Sequence, residues 1–420
     1  MALRFIKSLK ILCGMCTLVF ILFTYSNVFN TMSNQNSSRD FEYNNLMHNL
    51  SKRKKSFTKE EVSKMSILGR WLISPEGSPP PTIINLKNTS RLILIWKSGP
   101  FLERRHIKRF STEKFSPWKN CSVQCLLSYE SSNLEKADAV LFHLHRTKHV
   151  NELPPRKNYN QRWIFLTDES PLHTFLYGNQ KLSDYNKIFN WTMTYRMDSD
   201  IPVPYGRTVL SEKFRNRSFF HSELNKKKKL AAVMGSNCAG SNGRWNYIHE
   251  LKLLLGKDLD IYGHCLNGDT TTCPGHFDKD CEILKEYKFY LAFENSNCRE
   301  YLTEKVFWNG YKKFAIPVIM GAPREDSMRL LPPNSFLHVS DFSNSSTLAN
   351  FLKYLHKNDD NYLKFHEWRS EYMVINEHGY FGSPSRHYCR ICEALHYNSM
   401  EAKVYDNLEN FWSKKKDCSL

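Results

Sequence analysis

Short apolar runs alternate with amphipathic segments along most of the chain, in two blocks separated by a polar, basic linker at Asn225–Lys229. In the first block, apolar runs at Leu92–Trp96, Ala139–Leu144 and Trp163–Thr167 are bounded by polar or turn residues. Runs of this length predict strands that are buried on both faces of a parallel sheet.

The second block shows the same alternation of strands and helices. It begins with a strand at Leu230–Met234, a loop rich in Gly, Ser and Asn at Gly235–Gly243, and an amphipathic helix at Arg244–Leu255. The further predicted elements are strands at Leu259–Tyr262, Phe289–Phe293, Ile316–Met320 and Ser335–Val339 and helices at Thr303–Tyr311 and Ser346–Lys357. Two such blocks predict two doubly wound α/β domains that face a cleft, with ligands bound beyond the carboxyl ends of the strands.

The N-terminal segment determines the predicted compartment. Three basic residues precede an apolar stretch over residues 11–29, which is close to the ~20 residues that a helix needs to cross a bilayer. No convincing cleavage site follows it, so we expect an uncleaved signal anchor rather than a cleaved signal peptide. The basic flank should hold residues 1–10 in the cytosol and direct the rest of the chain into the lumen. The polar, basic composition of residues 30–90 predicts an extended stem with a short helix near Lys59–Leu72.

Cysteines and glycosylation sequons agree with a lumenal body. Ten cysteines lie beyond the apolar stretch, an even number, as expected where disulfides form. Cys121 and Cys125 form one close pair, and Cys389 and Cys392 form another. We expect disulfides at these four cysteines rather than a zinc site, because the two pairs stand far apart among sequons. Asn-x-Ser/Thr sequons occur at Asn36, Asn49, Asn88, Asn120, Asn190, Asn216 and Asn344.

The net positive charge favours an anionic partner. The formal net charge is +17, which favours nucleic acid, acidic lipid or a substrate that bears phosphate. The predicted anchor and the sequons conflict with a nucleic-acid partner, so we expect none. Apolar residues make up 41% of the chain and aromatic residues 14%, which is enough for two cores and excludes a disordered chain.

The stretch over residues 290–305 carries the densest set of chemical groups. A buried strand ends in polar residues, and Thr303 then opens a helix whose N-terminus suits a phosphate. Lys305 could neutralise a diphosphate there, and Glu294 or Glu304 could accept hydrogen bonds from ribose or base hydroxyls. The same residues are also compatible with a simple helix cap and surface ion pairs.

Three stretches, which occur in order and at plausible spacing, carry a resemblance to a known family. The first comprises Phe289–Ser296, Tyr301–Lys305 and Ala315–Gly321, and the others are Asn190–Gly206 and Met234–Arg244. Together they resemble the α1,3-fucosyltransferase family, glycosyltransferase family 10.

The resemblance implies a fold and a location. It implies the GT-B architecture, in which two Rossmann-like doubly wound domains face a cleft. The acceptor would bind mainly to the first domain, residues 91–225, and GDP-fucose mainly to the second, residues 226–400, with residues 401–420 as a C-terminal segment. With the anchor and stem in front, the chain is expected to be a single-pass type II protein of the Golgi membrane.

The resemblance also gives roles to donor-side residues. Arg244 and Lys305 should neutralise the diphosphate, and Asn295, Tyr301 and Glu304 should line the donor pocket. Two fixed cations and a helix N-terminus would stabilise the charge that develops on the departing GDP. No cofactor is implied beyond the donor substrate GDP-fucose, and no catalytic metal is expected.

The general base is expected on the first domain. The strand at Trp163–Thr167 ends in Asp168 and Glu169, so both carboxylates should lie over the cleft. The matching Glu-Ser-Pro of the family carries its proposed general base, which makes Glu169 the expected base and Asp168 the alternative. An inverting transfer needs one base within reach of the acceptor hydroxyl. A turn or helix-cap carboxylate before proline is the competing structural interpretation.

Two features bear on metal and acceptor. Asp198 and Asp200 form an Asp-x-Asp pair that could hold Mg²⁺ or Mn²⁺ against a diphosphate. The resembling stretch implies no metal there, so we expect a structural role with Arg196 as a partner. His143 and His145 depart from the adjacent His-His pair and acidic residue that Lewis-type relatives tend to have. The acceptor therefore stays open, and at least one of these histidines is expected to be structural.

The resemblance thus implies an inverting α1,3-fucosyltransferase. It would move L-fucose from GDP-fucose to the 3-OH of GlcNAc in the core or antenna of glycoprotein N-glycans, or in glycolipids. A protein O-fucosyltransferase of the same family is one alternative, and an inactive lumenal sugar-binding homologue is another. The inactive homologue is disfavoured because Glu169, Arg244, Glu304 and Lys305 are all present.

Overall fold

The structure is a computed structural model, and it describes most of the chain beyond residue 54. The described residues are Tyr43, Leu46, Met47, 55–74, 90–105, 118, 121–178, 180–212, 215, 217–273, 280–380 and 385–419. The predicted tail and anchor, residues 1–29, lie outside them. Within the described part, no helix is long and apolar enough to cross a membrane. The chain divides into Met1–Arg53 and Lys54–Leu420, and all elements named below belong to the second unit.

Strands and helices alternate through this unit. The strands are β1 (Leu92–Ile95), β2 (Leu126–Ser128), β3 (Ala139–His143), β4 (Arg162–Leu166), β5 (Trp191–Thr194), β6 (Ile201–Pro202), β7 (Gly206–Leu210), β8 (Lys229–Met234), β9 (Leu259–Tyr262), β10 (Tyr287–Phe293), β11 (Asn297–Cys298), β12 (Ile316–Met320), β13 (Leu337–His338), β14 (Tyr372–Asn376) and β15 (Cys418–Ser419). The α-helices are α1 (Lys59–Lys64), α2 (Ile67–Leu72), α3 (Gly99–Glu103), α4 (Arg217–Leu224), α5 (Arg244–Leu255), α6 (Arg324–Leu330), α7 (Ser345–Lys357), α8 (Asp359–Lys364), α9 (His387–Tyr397) and α10 (Lys414–Asp417).

Two parallel sheets form the body, as the sequence predicts. The first has the order β2-β1-β3-β4-β5-β6 and the second the order β13-β12-β10-β8-β9. Every pairing within both sheets is parallel. In each sheet the direction of strand order reverses once, between β1 and β3 and between β8 and β10. Ligands of doubly wound sheets bind outside the carboxyl ends of strands at such a reversal.

The predicted helix at Thr303–Tyr311 differs from an α-helix. Residues Lys305–Gly310 form a π-helix, and a 3₁₀ turn follows at Tyr311–Lys313. A π-helical turn inserts an extra residue into the helix and is common at functional sites. It follows directly on the residues to which the sequence assigns donor binding.

Part of the predicted stem is packed rather than extended. Helices α1 and α2 replace the single short helix that the sequence predicts near Lys59–Leu72, and each begins at a side-chain cap, Thr58 and Ser66. Leu68 and Leu72 of α2 are buried. Residues 55–74 therefore belong to the folded body, because their apolar side chains have a surface to cover.

The helix α9 covers the first sheet, although the sequence places it in the second domain. Its apolar residues share a core with β1, β3 and β4. The disulfides Cys121–Cys389 and Cys125–Cys392 join this helix to the segment before β2, which confirms the disulfides predicted for these four cysteines. An amphipathic pattern shows that a helix packs on a sheet, but not which sheet.

The other cysteines beyond the predicted anchor are also paired. The structure shows disulfides Cys238–Cys265, Cys273–Cys281 and Cys298–Cys418. The last of them accompanies the antiparallel pairing of β11 with β15. This disulfide therefore holds the chain terminus beside the loop that follows β10.

Candidate active site

A cavity of about 780 Å³ lies beyond the carboxyl ends of strands from both sheets. The first sheet contributes residues after β1, at the end of β3 and after β4. The second contributes residues after β8, β9 and β10. The lining includes all the predicted catalytic and donor-side residues, Glu169, Arg244, Asn295, Tyr301, Glu304 and Lys305.

A buried carboxylate fixes the lysine of this cavity. Glu294 follows β10 directly and is 0% exposed. Its Oε2 accepts a hydrogen bond from Lys305 Nζ at 2.9 Å, and its Oε1 accepts from the backbone N and the hydroxyl of Thr303 at 2.9 and 2.7 Å. Burial opposes the charge of Lys305, but Glu294 and Glu304 outweigh it and raise the pKa of Lys305 above its ordinary value. Glu294 therefore holds the Lys305 ammonium group in place instead of accepting from a ribose hydroxyl.

The second cation, Arg244, starts α5 and also organises the loop before it. Its guanidinium donates to the carbonyls of Phe293 at 3.0 Å, Asn237 at 2.7 Å and Ala239 at 3.0 Å. Gly243 precedes it with φ +66°, a left-handed conformation that glycine adopts without strain. Burial lowers the pKa of Arg244 against the opposing effect of Glu294. Arg244 thus presents a rigid positive charge on the cavity wall.

The two carboxylates after β4 have different surroundings. Asp168 is 2% exposed, and its oxygens meet His387 Nε2 at 2.9 Å and Arg105 Nη2 at 3.2 Å. Burial opposes ionisation of Asp168, yet His387 and Arg105 hold its pKa well below the usual range. Glu169 lines the cavity. Of these two carboxylates, only Glu169 is therefore placed to take a proton from a bound molecule.

Residues from the second sheet contact Glu169 across the cavity. Tyr301 donates its hydroxyl to Glu169 Oε2 at 3.1 Å, and Asn295 Nδ2 lies 3.5 Å from the same oxygen. Ser296 Oγ donates to Ser170 Oγ at 2.7 Å beside them. The structure thus places two predicted donor-side residues, Tyr301 and Asn295, against the predicted base.

Arginine and lysine side chains of this protein bind the Asp-x-Asp pair. Arg196 donates to both oxygens of Asp198 at 2.9 and 2.6 Å, and Arg299 lies 3.1 Å from Asp198. Asp200 accepts from Lys403 at 2.6 Å and from a tyrosine hydroxyl at 2.7 Å. The expected structural pairing of Arg196 with Asp198 is confirmed, and Arg196 does not line the cavity.

Two groups in the described part of the chain have the residue types of a metal site, and in one of them, Cys125, Cys392 and His396, the two cysteines are joined in a disulfide. Asp168, His378 and His387 place potential ligand atoms within 4.8 Å of one another. His378 Nε2 donates to Val203 O at 2.5 Å, and burial lowers the pKa of His378 to about 3. His387 and Arg105 already contact the two oxygens of Asp168, so side chains of this protein balance the charge of its carboxylate.

The cavity wall on the first sheet contains groups that sequence reasoning left open or missed. His143 and His145 both line the cavity; burial lowers the pKa of His143 to about 3, so it is neutral, and His145 Nδ1 bonds to a backbone carbonyl at 2.9 Å. Arg105 also lines the cavity and donates to the Tyr380 hydroxyl at 3.2 Å. The sequence around Arg105 carries only a generic basic run, so no signal singled it out.

Two predicted glycosylation sites fall within the described residues. Asn190 is 6% exposed, its Nδ2 donates to Lys403 O at 2.6 Å, and its Oδ1 accepts from Trp163 N at 2.9 Å. A glycan on that nitrogen has no room, which corrects the prediction for Asn190. Asn344 is exposed and caps α7 through its Oδ1. The other five sequon asparagines lie outside the described residues.

Comparison with known proteins gives a consistent family. Residues 88–206 match the family model described as fucosyltransferase, N-terminal, and residues 224–412 match glycosyltransferase family 10 (fucosyltransferase) C-term. The glycoprotein 3-alpha-L-fucosyltransferase A of Drosophila melanogaster is 34% identical over 70% of this chain, and the match spans 55% of that relative's length.

Two rat proteins match over more of their length. Alpha-(1,3)-fucosyltransferase 7 of Rattus norvegicus is 33% identical over 81% of this chain and 84% of its own. The 4-galactosyl-N-acetylglucosaminide 3-alpha-L-fucosyltransferase 9 of the same species is 34% identical over 82% of this chain and 90% of its own. A crystal structure of alpha1,3-fucosyltransferase with GDP aligns with a TM-score of 0.46 at 16% identity, covering 80% of this chain and 99% of that one.

Proposed function

Because the chain belongs to glycosyltransferase family 10, the fucosyltransferases, we propose that it transfers L-fucose with inversion from GDP-fucose to the 3-OH of a GlcNAc residue. One observation carries this proposal. The cavity sets Glu169, a carboxylate of the first sheet, opposite the fixed cations Lys305 and Arg244 from the second, while the other lining carboxylate, Glu304, pairs with Lys305. Two doubly wound sheets that share such a cavity fit the GT-B architecture.

The chemistry follows from this placement. Glu169 Oε1 takes the proton of the acceptor 3-OH, and the oxygen attacks C1 of fucose from the face opposite GDP. The bond between C1 and the β-phosphate oxygen breaks, and its electron pair leaves with GDP. The β-linked donor therefore becomes an α-linked product.

The cations stabilise the charge that grows on GDP. Lys305 is held by Glu294 at 2.9 Å and by Glu304 at 3.2 Å, and Arg244 is held by three carbonyls. Because both are fixed before the reaction begins, little reorganisation accompanies bond breaking. Asp198 and Asp200 are bound by cations of the chain, which supports a reaction that needs no metal at this pair.

The acceptor class rests on the relatives and on the cavity wall. The names of the relatives include a glycoprotein and a 4-galactosyl-N-acetylglucosaminide, and we propose a GlcNAc-containing glycan as the acceptor for this chain. We also propose a lumenal Golgi location with residues 11–29 as the anchor. The apolar stretch, its basic flank and the disulfides support this location.

The experiment uses the secreted body from residue 55 with labelled GDP-fucose and an acceptor panel. The panel contains an N-glycan core, LacNAc, LacdiNAc and a folded peptide domain, so that it also covers the protein O-fucosyltransferase alternative. We expect transfer to at least one glycan. Absence of turnover on all four acceptors, with the body folded, contradicts the proposed activity and supports the sugar-binding alternative.

A variant pair tests the base. Glu169→Gln should reduce kcat by about 10²–10⁴-fold, while GDP affinity and thermal stability stay near wild type. Glu135→Gln is the matched control, because Glu135 is an exposed glutamate whose side chain pairs with Lys157 at the surface. Near-normal transfer by Glu169→Gln would remove Glu169 from the mechanism.

A further inference from the structure

Tyr301 contacts the predicted base instead of pointing only into the donor half of the cavity. It lies on the loop between β11 and the π-helix, on the side of the second sheet. Its hydroxyl nevertheless donates to Oε2 of Glu169, on the first sheet, at 3.1 Å. The tyrosine is 3% exposed, so this contact is shielded from solvent. The Tyr301 hydroxyl is thus hydrogen-bonded to Glu169, a residue on the side of the opposite sheet.

The contact leaves the carboxylate of Glu169 asymmetric. Oε2 is held by Tyr301, with Asn295 Nδ2 at 3.5 Å as a weaker second donor. Within the described chain, Oε1 has no hydrogen-bond or ion-pair partner. A general base must direct one oxygen at the acceptor hydroxyl, and a hydrogen bond on the other oxygen fixes the rotation of the carboxyl group.

Tyr301 is itself held rigidly. Its ring packs on Tyr195 with centroids 5.0 Å apart, and its backbone N donates to Cys298 O at 3.1 Å. Glu300, directly before it, has φ +57° and accepts from the backbone N of Met197 at 2.7 Å. The loop is therefore attached to the first-sheet side immediately before the tyrosine.

The protonation state of Tyr301 suits a hydrogen-bond donor. Burial and, next, the neighbouring Glu169 raise the pKa of Tyr301 well above its ordinary value. The hydroxyl consequently keeps its proton across the working range of pH. Towards the carboxylate of Glu169 it can therefore act only as a hydrogen-bond donor.

We propose that Tyr301 is a positioning residue that acts on transfer through Glu169, by fixing Oε2 so that Oε1 faces the acceptor hydroxyl. The proposal rests on the proposed function. It adds that a residue of the donor-side loop aligns the base of the acceptor side. The orientation of the base therefore depends on the loop that also frames the donor.

Tyr301→Phe removes one oxygen and keeps the ring that packs on Tyr195. Loss of one hydrogen bond to a charged group should lower kcat roughly ten- to a hundredfold, with GDP affinity unchanged. The acidic limb of the kcat–pH profile should move to higher pH, because the hydrogen bond favours the ionised carboxylate. A purely structural role would not move that limb.

Tyr195→Phe is the matched control. Tyr195 is a buried tyrosine in the same ring stack, and within the described chain its hydroxyl has no hydrogen-bond partner. Its removal should leave kcat and the pH profile as in the wild type. In Glu169→Gln, adding Tyr301→Phe should cause no further loss, since both act at one group.

Three results would overturn the proposal. An unchanged kcat and pH limb in Tyr301→Phe would leave the hydrogen bond without a role. A weaker GDP affinity at constant kcat would make Tyr301 a donor contact only, and equal losses in Tyr195→Phe would make ring packing the cause. If Glu169→Gln itself retains transfer, the proposed base fails independently of these results.

Discussion

Lys305→Met tests whether the buried carboxylate of Glu294 depends on the lysine above it. Glu294 has no exposed surface, and Lys305 Nζ lies 2.9 Å from its Oε2. Removing one partner of a buried ion pair costs about 3–5 kcal/mol, because the other charge is left uncompensated. Thr303 still donates two hydrogen bonds to Oε1, so we expect the lower end, about 3 kcal/mol. This is a large part of the ~5–15 kcal/mol by which a domain is stable.

A second substitution separates stability from donor binding. Glu294→Gln in the Lys305→Met background replaces the stranded charge with a neutral amide of the same shape. Most of the lost stability should return, since removing both charges of a buried pair is often nearly neutral. GDP binding should not return, because the cation that faces the cavity is still missing.

The measurement is urea unfolding of the secreted body with disulfides intact, followed by tryptophan fluorescence, together with GDP titration calorimetry. Lys136→Met, an exposed lysine outside the cavity, controls for the loss of a positive charge. The reasoning is refuted if Lys305→Met unfolds within about 1 kcal/mol of wild type. It is also refuted if the double variant is less stable than the single one, or if GDP affinity recovers along with stability.

Three further predictions concern pH, metal and glycosylation. Burial, and next Asp198, raise the pKa of Glu300 from 4.5 to about 7. The folded chain therefore holds the Glu300 proton more tightly than the unfolded chain does. Its stability consequently falls as the pH rises from 4.5 to 7. Glu300→Gln should therefore unfold like the wild type near pH 4.5 and gain about 2–3 kcal/mol over it by pH 8; equal gains at both pH values would contradict this. EDTA should leave turnover unchanged, because arginine side chains hold Asp198, and a loss restored by Mn²⁺ would show the opposite. Peptide mass spectrometry should find Asn344 glycosylated and Asn190 bare.

The strands that are buried on both faces were predictable, and the half-polar ones were not. The runs behind β8 and β12 are continuous in apolar residues, so their limits agree with the prediction to within one residue. By contrast, β5 alternates threonine with apolar residues and was not recognised as a strand. Its threonines are buried because Thr192 bonds to Asp200 and Thr194 to Ser199, contacts that periodicity does not reveal.

The cavity residues were predictable where they lie in stretches that resemble the family. Tyr301, Glu304 and Lys305 occur within five positions, and the resemblance assigns all three. The resemblance already favours Glu169 over Asp168, but the physical reason required the structure, since it depends on Arg105 and on α9 from distant parts of the chain. The roles of Glu294 and Tyr301 likewise depend on which side chains meet, which no spacing along the chain specifies.

The two disulfides of α9 have a consequence for biosynthesis. They join positions separated by 268 and 267 residues, so the first sheet receives its covering helix only after the whole second sheet has been translated. Domains usually fold in the order in which they leave the ribosome, but here the half that emerges first is the half completed last. Oxidation of these cysteines must therefore wait until α9 has been translated, and a chain truncated before α9 would lose the first sheet rather than the second.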